Sequence, residues 1–248
     1  MKFVAAITLA LAVAACGGGS SGGNTVAATP VAGATPPAGQ DWTQTVSKTA
    51  EGYVMGNPNA PIKLVEYGSR LCPTCGALAN EGFPTLTGTF VKSGKVSFEF
   101  REFLVHGPMD MPPALIGTCV GTEPFFPLLE QMFQNQQQFV NGLQAAPAAV
   151  QQQIQAQMQS KPIEAFRSMA TAMGLIEFVK ARGIPEAKAQ ACLGNQAEID
   201  RLTKQTSDNG PGGTGIVTGT PTLLINGRAA EGVITWPALQ TALKNAGA

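Results

Sequence analysis

Residues 64–75 read Leu64-Val65-Glu66-Tyr67-Gly68-Ser69-Arg70-Leu71-Cys72-Pro73-Thr74-Cys75. The pattern predicts a buried strand that ends near Tyr67, a break, and a helix that begins at Cys72. Pro73 suits the first turn of that helix, because a proline there loses no hydrogen bond. A thiol at a helix N-terminus faces unpaired N–H groups and the positive end of the helix dipole, which favour its thiolate. Cys72 is therefore the expected nucleophile, and Cys75, one turn later, is the expected resolving thiol.

A Cys-x-x-Cys pair has two other common uses. It can supply half of a zinc site, but zinc takes four ligands, and the further soft ligands are Cys119, Cys192 and the single His106. It can also form a purely structural disulfide, although a bridge that closes so short a loop adds little stability. We find no glycine-rich phosphate-binding loop. The sequence therefore predicts neither a bound metal nor a cofactor.

The first 16 residues are typical of an export signal. Lys2 supplies the positive end, and the apolar run over residues 3–13 is too short for a permanent membrane-spanning helix. Val13-Ala14-Ala15-Cys16 resembles a bacterial lipobox, in which Cys16 is lipidated and becomes the mature N-terminus. Leu is more usual where Val13 stands, and the alternative is an ordinary signal peptide that leaves Cys16 free. In both cases the chain is exported to the periplasm or cell envelope, where disulfides persist.

Composition separates a linker from a folded region. Residues 17–40 contain no charged and no aromatic residue, so they cannot bury enough surface to offset the entropy of ordering, and we expect a flexible Gly/Ser/Pro linker. The remaining residues, about 200 in number, are enough for one sizeable core. The chain carries 16 basic and 16 acidic residues without a basic block, so a nucleic-acid partner is not expected.

The periodicity of apolar residues predicts the order of elements. Residues 62–67 and 96–101 read as strands on either side of the helix that carries the two cysteines. From residue 112 the pattern is helical for about a hundred residues, with a glutamine-rich part at 134–159 that we interpret as a solvated, mobile tip. Residues 219–228 predict a strand, an Asn-Gly turn and a second strand, before a last helix at 236–244. Candidate helices of the middle region are 114–120, 123–139, 147–159, 162–173, 176–182, 185–193 and 198–204.

This order resembles the thioredoxin superfamily, and the helical block narrows the resemblance to the periplasmic DsbA-type thiol–disulfide oxidoreductases. It covers residues 53–244. Three local matches carry it: residues 56–61 leading into Val65-Glu66-Tyr67, the motif Cys72-Pro73-Thr74-Cys75, and Gly219-Thr220-Pro221-Thr222. The resemblance implies an α/β thioredoxin fold built from residues 41–108 and 210–248, with an all-helical insertion at residues 109–209.

The resemblance also implies roles for single residues. Cys72 would be the exposed nucleophile and Cys75 the resolving thiol. Pro221 would follow a cis peptide bond beside them, and the backbone of Thr220 would pair with the client; the alternative for Pro221 is an ordinary trans turn. Glu66 would be a buried acid that carries protons to and from Cys75, unless it is a solvated strand residue.

One departure from the most oxidising relatives concerns Thr74. Those proteins have His at this position, which stabilises the reduced form and makes the disulfide a stronger oxidant. Because Thr74 offers only a hydroxyl, we expect a weaker oxidant. Thr220 also resembles the isomerase and reductase branches more than DsbA itself, so the direction of electron flow stays open.

The expected activity is thiol–disulfide exchange on unfolded or reduced exported proteins, most simply as an oxidase that a quinone-linked membrane partner reoxidises. One alternative is an isomerase or reductase supplied by a membrane electron donor. Another is a metal-binding or client-holding lipoprotein that uses Cys72 and Cys75 as ligands. Cys119 and Cys192 are either a second disulfide or two free buried thiols; an even number of remaining cysteines is compatible with pairing.

Overall fold

The computed structural model describes residues 29–248. The predicted signal peptide, with the lipidation site Cys16, lies outside the described residues. The strands are β1 Val46–Lys48, β2 Tyr53–Met55, β3 Ile62–Gly68, β4 Val96–Glu102, β5 Thr222–Ile225 and β6 Arg228–Ala229. The helices are α1 Pro73–Thr85, α2 Met111–Cys119, α3 Thr122–Gln134, α4 Gln136–Gln144, α5 Ala148–Ser160, α6 Pro162–Ala172, α7 Leu175–Lys180, α8 Glu186–Leu193, α9 Gln196–Asn209 and α10 Trp236–Asn245.

A mixed sheet with the strand order β1-β2-β4-β3-β5-β6 forms one layer of the molecule. β3 pairs in parallel with β4 and antiparallel with β5, so β3 lies in the middle and is buried along most of its length. The parallel pair is connected through α1, because parallel neighbours need a crossover connection between them. The order β-α-β, helical block, β-β-α predicted from periodicity is confirmed, and so is the thioredoxin fold with a helical insertion.

Helix α3 connects the sheet to the helical insertion because it is apolar on two faces. Phe125 and Phe126 are fully buried and stack against aromatic rings of the sheet, with Phe125 lying 3.9 Å from the ring centroid of Tyr53. Met132, also fully buried, belongs to the separate core of the helical insertion. Two hydrophobic cores therefore share one helix, and the insertion is packed against the body that holds the cysteine motif.

Cys119 at the end of α2 and Cys192 in α8 form a disulfide, with Cα atoms 5.7 Å apart. The bond connects two helices of the insertion, and its cysteines are 73 residues apart in the sequence. Removing a crosslink over a loop of this length releases chain entropy in the unfolded state.

We therefore expect Cys119→Ala with Cys192→Ala to lower the free energy of unfolding by about 2–4 kcal/mol. Urea unfolding of this variant and of the parent chain, without reductant, measures the difference. Equal unfolding midpoints would show that the bridge adds nothing to the stability of the insertion.

The predicted linker is shorter than residues 17–40. Val31 N–H donates to the carbonyl of Gly247 at 2.8 Å, and Ala34 N–H donates to Ser93 O at 3.1 Å. The indole of Trp42 in turn donates to Ala34 O at 2.6 Å. The composition of residues 17–40 could not predict these contacts. They are made by backbone groups, which are present whatever the side chains are. Within residues 29–248, no helix is long and apolar enough to cross a membrane.

Candidate active site

Cys72 lies at the carboxyl end of β3, as the N-cap residue of α1. Its sulfur accepts a hydrogen bond from the backbone N–H of Cys75 at 3.4 Å, and lies 3.3 Å from the carbonyl oxygen of Thr220. Only 5% of the residue is exposed. The expectation of an exposed nucleophile is therefore wrong for this reduced form, because the Thr220 loop covers the thiol. Pro73 and Thr74 beside it are exposed.

The two thiols have opposite electrostatic environments. Hydrogen bonding from Cys75 and from the backbone N–H groups at the start of α1 lowers the pKa of Cys72 to about 5, against the opposing effect of burial. Burial raises the pKa of Cys75, which is 0% exposed, well above its ordinary range, and the neighbouring Cys72 and Glu66 add to this shift. Both thiols are free in this structure. At neutral pH one member of the pair is a thiolate and the other keeps its proton.

The loop that follows the late glycine-rich turn lies against Cys72. The peptide bond between Thr220 and Pro221 is cis, as the resemblance implied. Thr220 is half-buried, and its hydroxyl oxygen has no hydrogen-bond partner among the described residues. Residues 215–216, 218–223 and 229–234 together line a groove of about 350 Å³. Ile234, with 49% of its surface exposed, lies in this groove.

Glu66 lies on β3 beneath the two thiols. It is 5% exposed, and its Oε1 atom has no hydrogen-bond partner in residues 29–248. Burial, reinforced by the charges of Cys72 and Glu102, raises the pKa of Glu66 to about 8. The carboxyl group is therefore mostly protonated at pH 7, where it can donate or accept a proton without a large change in free energy.

The raised pKa of Glu66 predicts a pH-dependent cost to folding. Between its ordinary pKa of 4.5 and about 8, the unfolded chain releases the proton and the folded chain keeps it, so stability falls as pH rises through this range. Glu66→Gln removes this titration. We expect the free energy of unfolding of the variant, relative to the parent chain, to increase by about 3 kcal/mol between pH 4.5 and pH 7.

Urea unfolding of both reduced proteins at the two pH values tests this expectation. The matched control is Glu164→Gln, which removes an exposed carboxylate that pairs with Arg167 on the surface. A difference between Glu66→Gln and the parent that is the same at both pH values would contradict the shift.

The loop between β3 and Cys72 is held by buried polar groups that the sequence analysis missed. Arg70 is 1% exposed, and its Nε donates to Glu102 Oε1 at 2.7 Å. Ser69 Oγ donates to the buried Asp110 at 2.7 Å, and Asp110 also accepts from the backbone N–H of His106 at 2.6 Å. His106 is thus a loop residue bonded to Asp110. No sequence signal marks these groups, because isolated charged residues usually lie on the surface.

In residues 29–248, no three His, Cys, Asp or Glu side chains are grouped so that they could hold a metal ion.

Comparison with known proteins agrees with the geometry. A protein-family model described as Thioredoxin matches residues 48–245. The crystal structure of a protein-disulfide isomerase from Novosphingobium aromaticivorans superposes with a TM-score of 0.71 and 30% identity, over 79% of this chain and 97% of that one. Wolbachia pipientis alpha-DsbA1 shares the fold at 16% identity, with a TM-score of 0.56 over 77% of this chain and 87% of that one.

A second kind of relative matches this chain over a shorter segment. Disulfide bond formation protein D of Bacillus subtilis (strain 168) is 31% identical over 86 residues, which are 34% of this chain and 39% of that protein. The match thus spans less than half of the relative's length. The family model and the isomerase structure, in contrast, cover most of this chain. This chain belongs to the thioredoxin family.

Proposed function

We propose that the chain is a thiol–disulfide oxidoreductase that transfers the Cys72–Cys75 disulfide to thiols of exported proteins. The observation that carries this proposal is the contrast between the two thiols: the pKa of Cys72 is lowered to about 5, and the pKa of Cys75 is raised. A thiolate of low pKa is a good leaving group, so it releases a client readily. The buried partner of high pKa takes up a proton as soon as its bond to Cys72 breaks.

The proposed cycle conserves atoms and electrons. A client thiolate attacks the sulfur of Cys72, the Cys72–Cys75 bond breaks, and Cys75 leaves with the electron pair and accepts a proton from Glu66. A second client thiolate then attacks the client sulfur of the mixed disulfide and releases Cys72 as a thiolate. The client gains one disulfide, and the protein ends as the dithiol. Glu66 regains its proton from solvent.

The groove beside Pro221 supports a role in client binding. It borders the loop that carries Thr220, and its wall includes the exposed side chain of Ile234. An extended client segment placed there would meet the backbone of Thr220 and an apolar surface. Such contacts depend little on client sequence, which suits an enzyme with many clients.

The second candidate function is disulfide isomerisation or reduction. The observation that favours it is the similarity, over 79% of this chain and 97% of the other, to a protein named as a protein-disulfide isomerase. Thr74, which is exposed and offers no imidazole, is consistent with an oxidant weaker than the relatives that have His at this position. The lowered pKa of Cys72 favours the oxidase, because a stabilised thiolate makes the disulfide more oxidising.

We also propose the setting of this activity. Residues 1–16 would be a lipoprotein signal peptide with Cys16 as the lipidated residue, and the linker would end where Val31 binds the domain. The insertion would run from residue 109 to residue 209. The protein would lie in the periplasm or cell envelope, anchored to a membrane by its N-terminal lipid. A quinone-linked membrane oxidase would return the dithiol to the disulfide.

Two assays on the chain from residue 29 onward distinguish the candidates. The oxidised protein is mixed with a reduced, unfolded client of two cysteines, and the reduced protein with a client whose disulfides are mispaired. An oxidase forms the client disulfide stoichiometrically and rescues the mispaired client slowly; an isomerase shows the reverse ratio. If the protein does neither and its reduced form binds zinc or copper stoichiometrically, the metal-binding alternative would replace the proposal.

A further inference from the structure

The first residue of α4 reaches from the helical insertion to the cysteine motif. The side-chain amide of Gln136 donates two hydrogen bonds, one to the carbonyl oxygen of Arg70 at 3.0 Å and one to that of Cys72 at 2.8 Å. An amide NH₂ group has two hydrogens, so both bonds can form at once. Leu71 lies between the two acceptors. The helical insertion is thus hydrogen-bonded to the loop that contains the nucleophile.

Gly76 shows that this contact is tightly packed. A Cβ atom built on Gly76 would overlap the amide of Gln136, coming within 2.7 Å of its Cδ atom and 3.0 Å of its Nε2 atom. The φ angle of Gly76 is not positive, so its backbone does not itself require glycine. A side chain at the position after Cys75 would therefore have to displace the Gln136 amide from the space that it occupies.

The contact also has an electrostatic consequence. The carbonyl oxygen of Cys72 accepts from Gln136 and from Gly76 N–H, the latter at 3.0 Å in the first turn of α1. Carbonyl oxygens carry partial negative charge, which opposes a thiolate nearby. The two N–H groups of the Gln136 amide point at the carbonyl oxygens of Arg70 and Cys72. Their positive ends offset the negative potential that these oxygens create next to the Cys72 sulfur.

We propose that Gln136 is a positioning residue, which joins the helical insertion to the redox loop and stabilises the reduced form through Cys72. This inference rests on the proposed function, because it concerns the Cys72–Cys75 couple. The two hydrogen bonds of the Gln136 amide end on backbone carbonyl oxygens and not on a sulfur, so Gln136 acts through the backbone of the nucleophile. The insertion then contributes directly to the redox properties of the cysteine pair.

The first test replaces Gln136 with Leu, which has a similar volume but no donor. We expect the equilibrium constant for reduction by glutathione to fall about fivefold, as the loss of one or two hydrogen bonds would give. The absorbance of the Cys72 thiolate at about 240 nm, followed against pH, should shift to higher pH in the same variant. Gln137→Leu is the matched control, because Gln137 is exposed on the same helix and bonds only Asn141.

A purely structural role predicts another outcome. Gln136→Leu would then unfold at lower urea concentration while its glutathione equilibrium and thiolate titration match the parent, and this result would overturn the inference. The thiolate titration needs no catalysis. A parent chain without a reversible redox couple would therefore count against the proposed function, and an unshifted titration would count against the role of Gln136.

A second pair of variants tests the packing. Gly76→Ala should lower the glutathione equilibrium constant, because its methyl group displaces the Gln136 amide. In a Gln136→Ala background the same change should have little further effect, since the obstructing amide is gone. If the two substitutions act additively, Gly76 and Gln136 are independent and the inference fails.

Discussion

Replacing Cys72 with serine is expected to reduce client oxidation to the uncatalysed background, a loss of at least about a thousandfold. The reason is chemical: among the cysteines that the structure describes, Cys72 is the one with a lowered pKa, at about 5, whereas Cys75 is fully buried. A serine hydroxyl cannot form the mixed disulfide. The rate of disulfide formation in a fluorescent peptide with two cysteines measures the effect.

Cys75→Ser should behave differently. Cys72 can still form a mixed disulfide, but no resolving thiol remains within the protein, so a covalent complex with the client accumulates. Non-reducing electrophoresis and mass spectrometry detect that complex. The chain with Cys119→Ala and Cys192→Ala is the control, and should keep the parent rate while folded. Activity in the Cys72→Ser variant would show that Cys72 is not the nucleophile. A client trapped on Cys75 in that same variant would show that the two roles are reversed.

Replacing Arg70 with leucine is expected to lower the free energy of unfolding by about 3–5 kcal/mol at neutral pH. Arg70 is the nearest cation to Glu102, and both side chains are almost completely buried, at 0% and 3% exposure. Leucine would remove the ion-pair partner of the buried Glu102 carboxylate and leave only the weaker effect of the Arg201 charge. Burial already raises the pKa of Glu102, and Arg70 opposes that rise. The buried guanidinium also lies over the ring of Phe125 at 5.1 Å.

Urea unfolding measures this loss. The control is Arg167→Leu, because Arg167 pairs with Glu164 on the surface and such pairs contribute at most about 1 kcal/mol. Adding Glu102→Leu to Arg70→Leu should recover part of the loss, since it removes the uncompensated charge. If Arg70→Leu and Arg167→Leu cost the same, the buried pair is not what secures the loop before Cys72.

The region around the cysteine motif was predictable from sequence because its signals are local. A β-rich apolar run followed by Gly68 predicts the end of β3, and Pro73 predicts the start of α1. Asn226 and Gly227 predict the tight turn between β5 and β6, where both residues have positive φ angles. In each case neighbouring residues alone determine the conformation, so no tertiary contact has to be known.

Boundaries inside the insertion were less predictable. The candidate helix 123–139 is two helices, α3 and α4, which separate at Asn135. The candidate helix 198–204 extends in the structure as α9, Gln196–Asn209. The spacing of apolar residues predicts that these helices exist. It does not predict where they end, because the ends depend on packing against other elements.

The polar residues that position the site were not predictable for a different reason. Arg70 is buried only because α2 and α3 cover it, with Gly117 leaving the space for its guanidinium. Gln136 belongs to a glutamine-rich stretch that reads as solvated, and nothing in its neighbours separates it from the exposed Gln137. Such roles arise when distant segments meet, and the partners are 66 residues apart in the case of Gln136 and Arg70.

The most direct measurement of the central claim is the redox equilibrium of the Cys72–Cys75 pair in glutathione buffers at pH 7. The chain from residue 29 onward is equilibrated at a series of glutathione ratios, its free thiols are alkylated, and the fraction of dithiol is measured by mass. We predict a reversible two-electron transition at a potential less oxidising than about −120 mV, because Thr74 lacks an imidazole. A pair that stays in one state at every glutathione ratio would contradict the account.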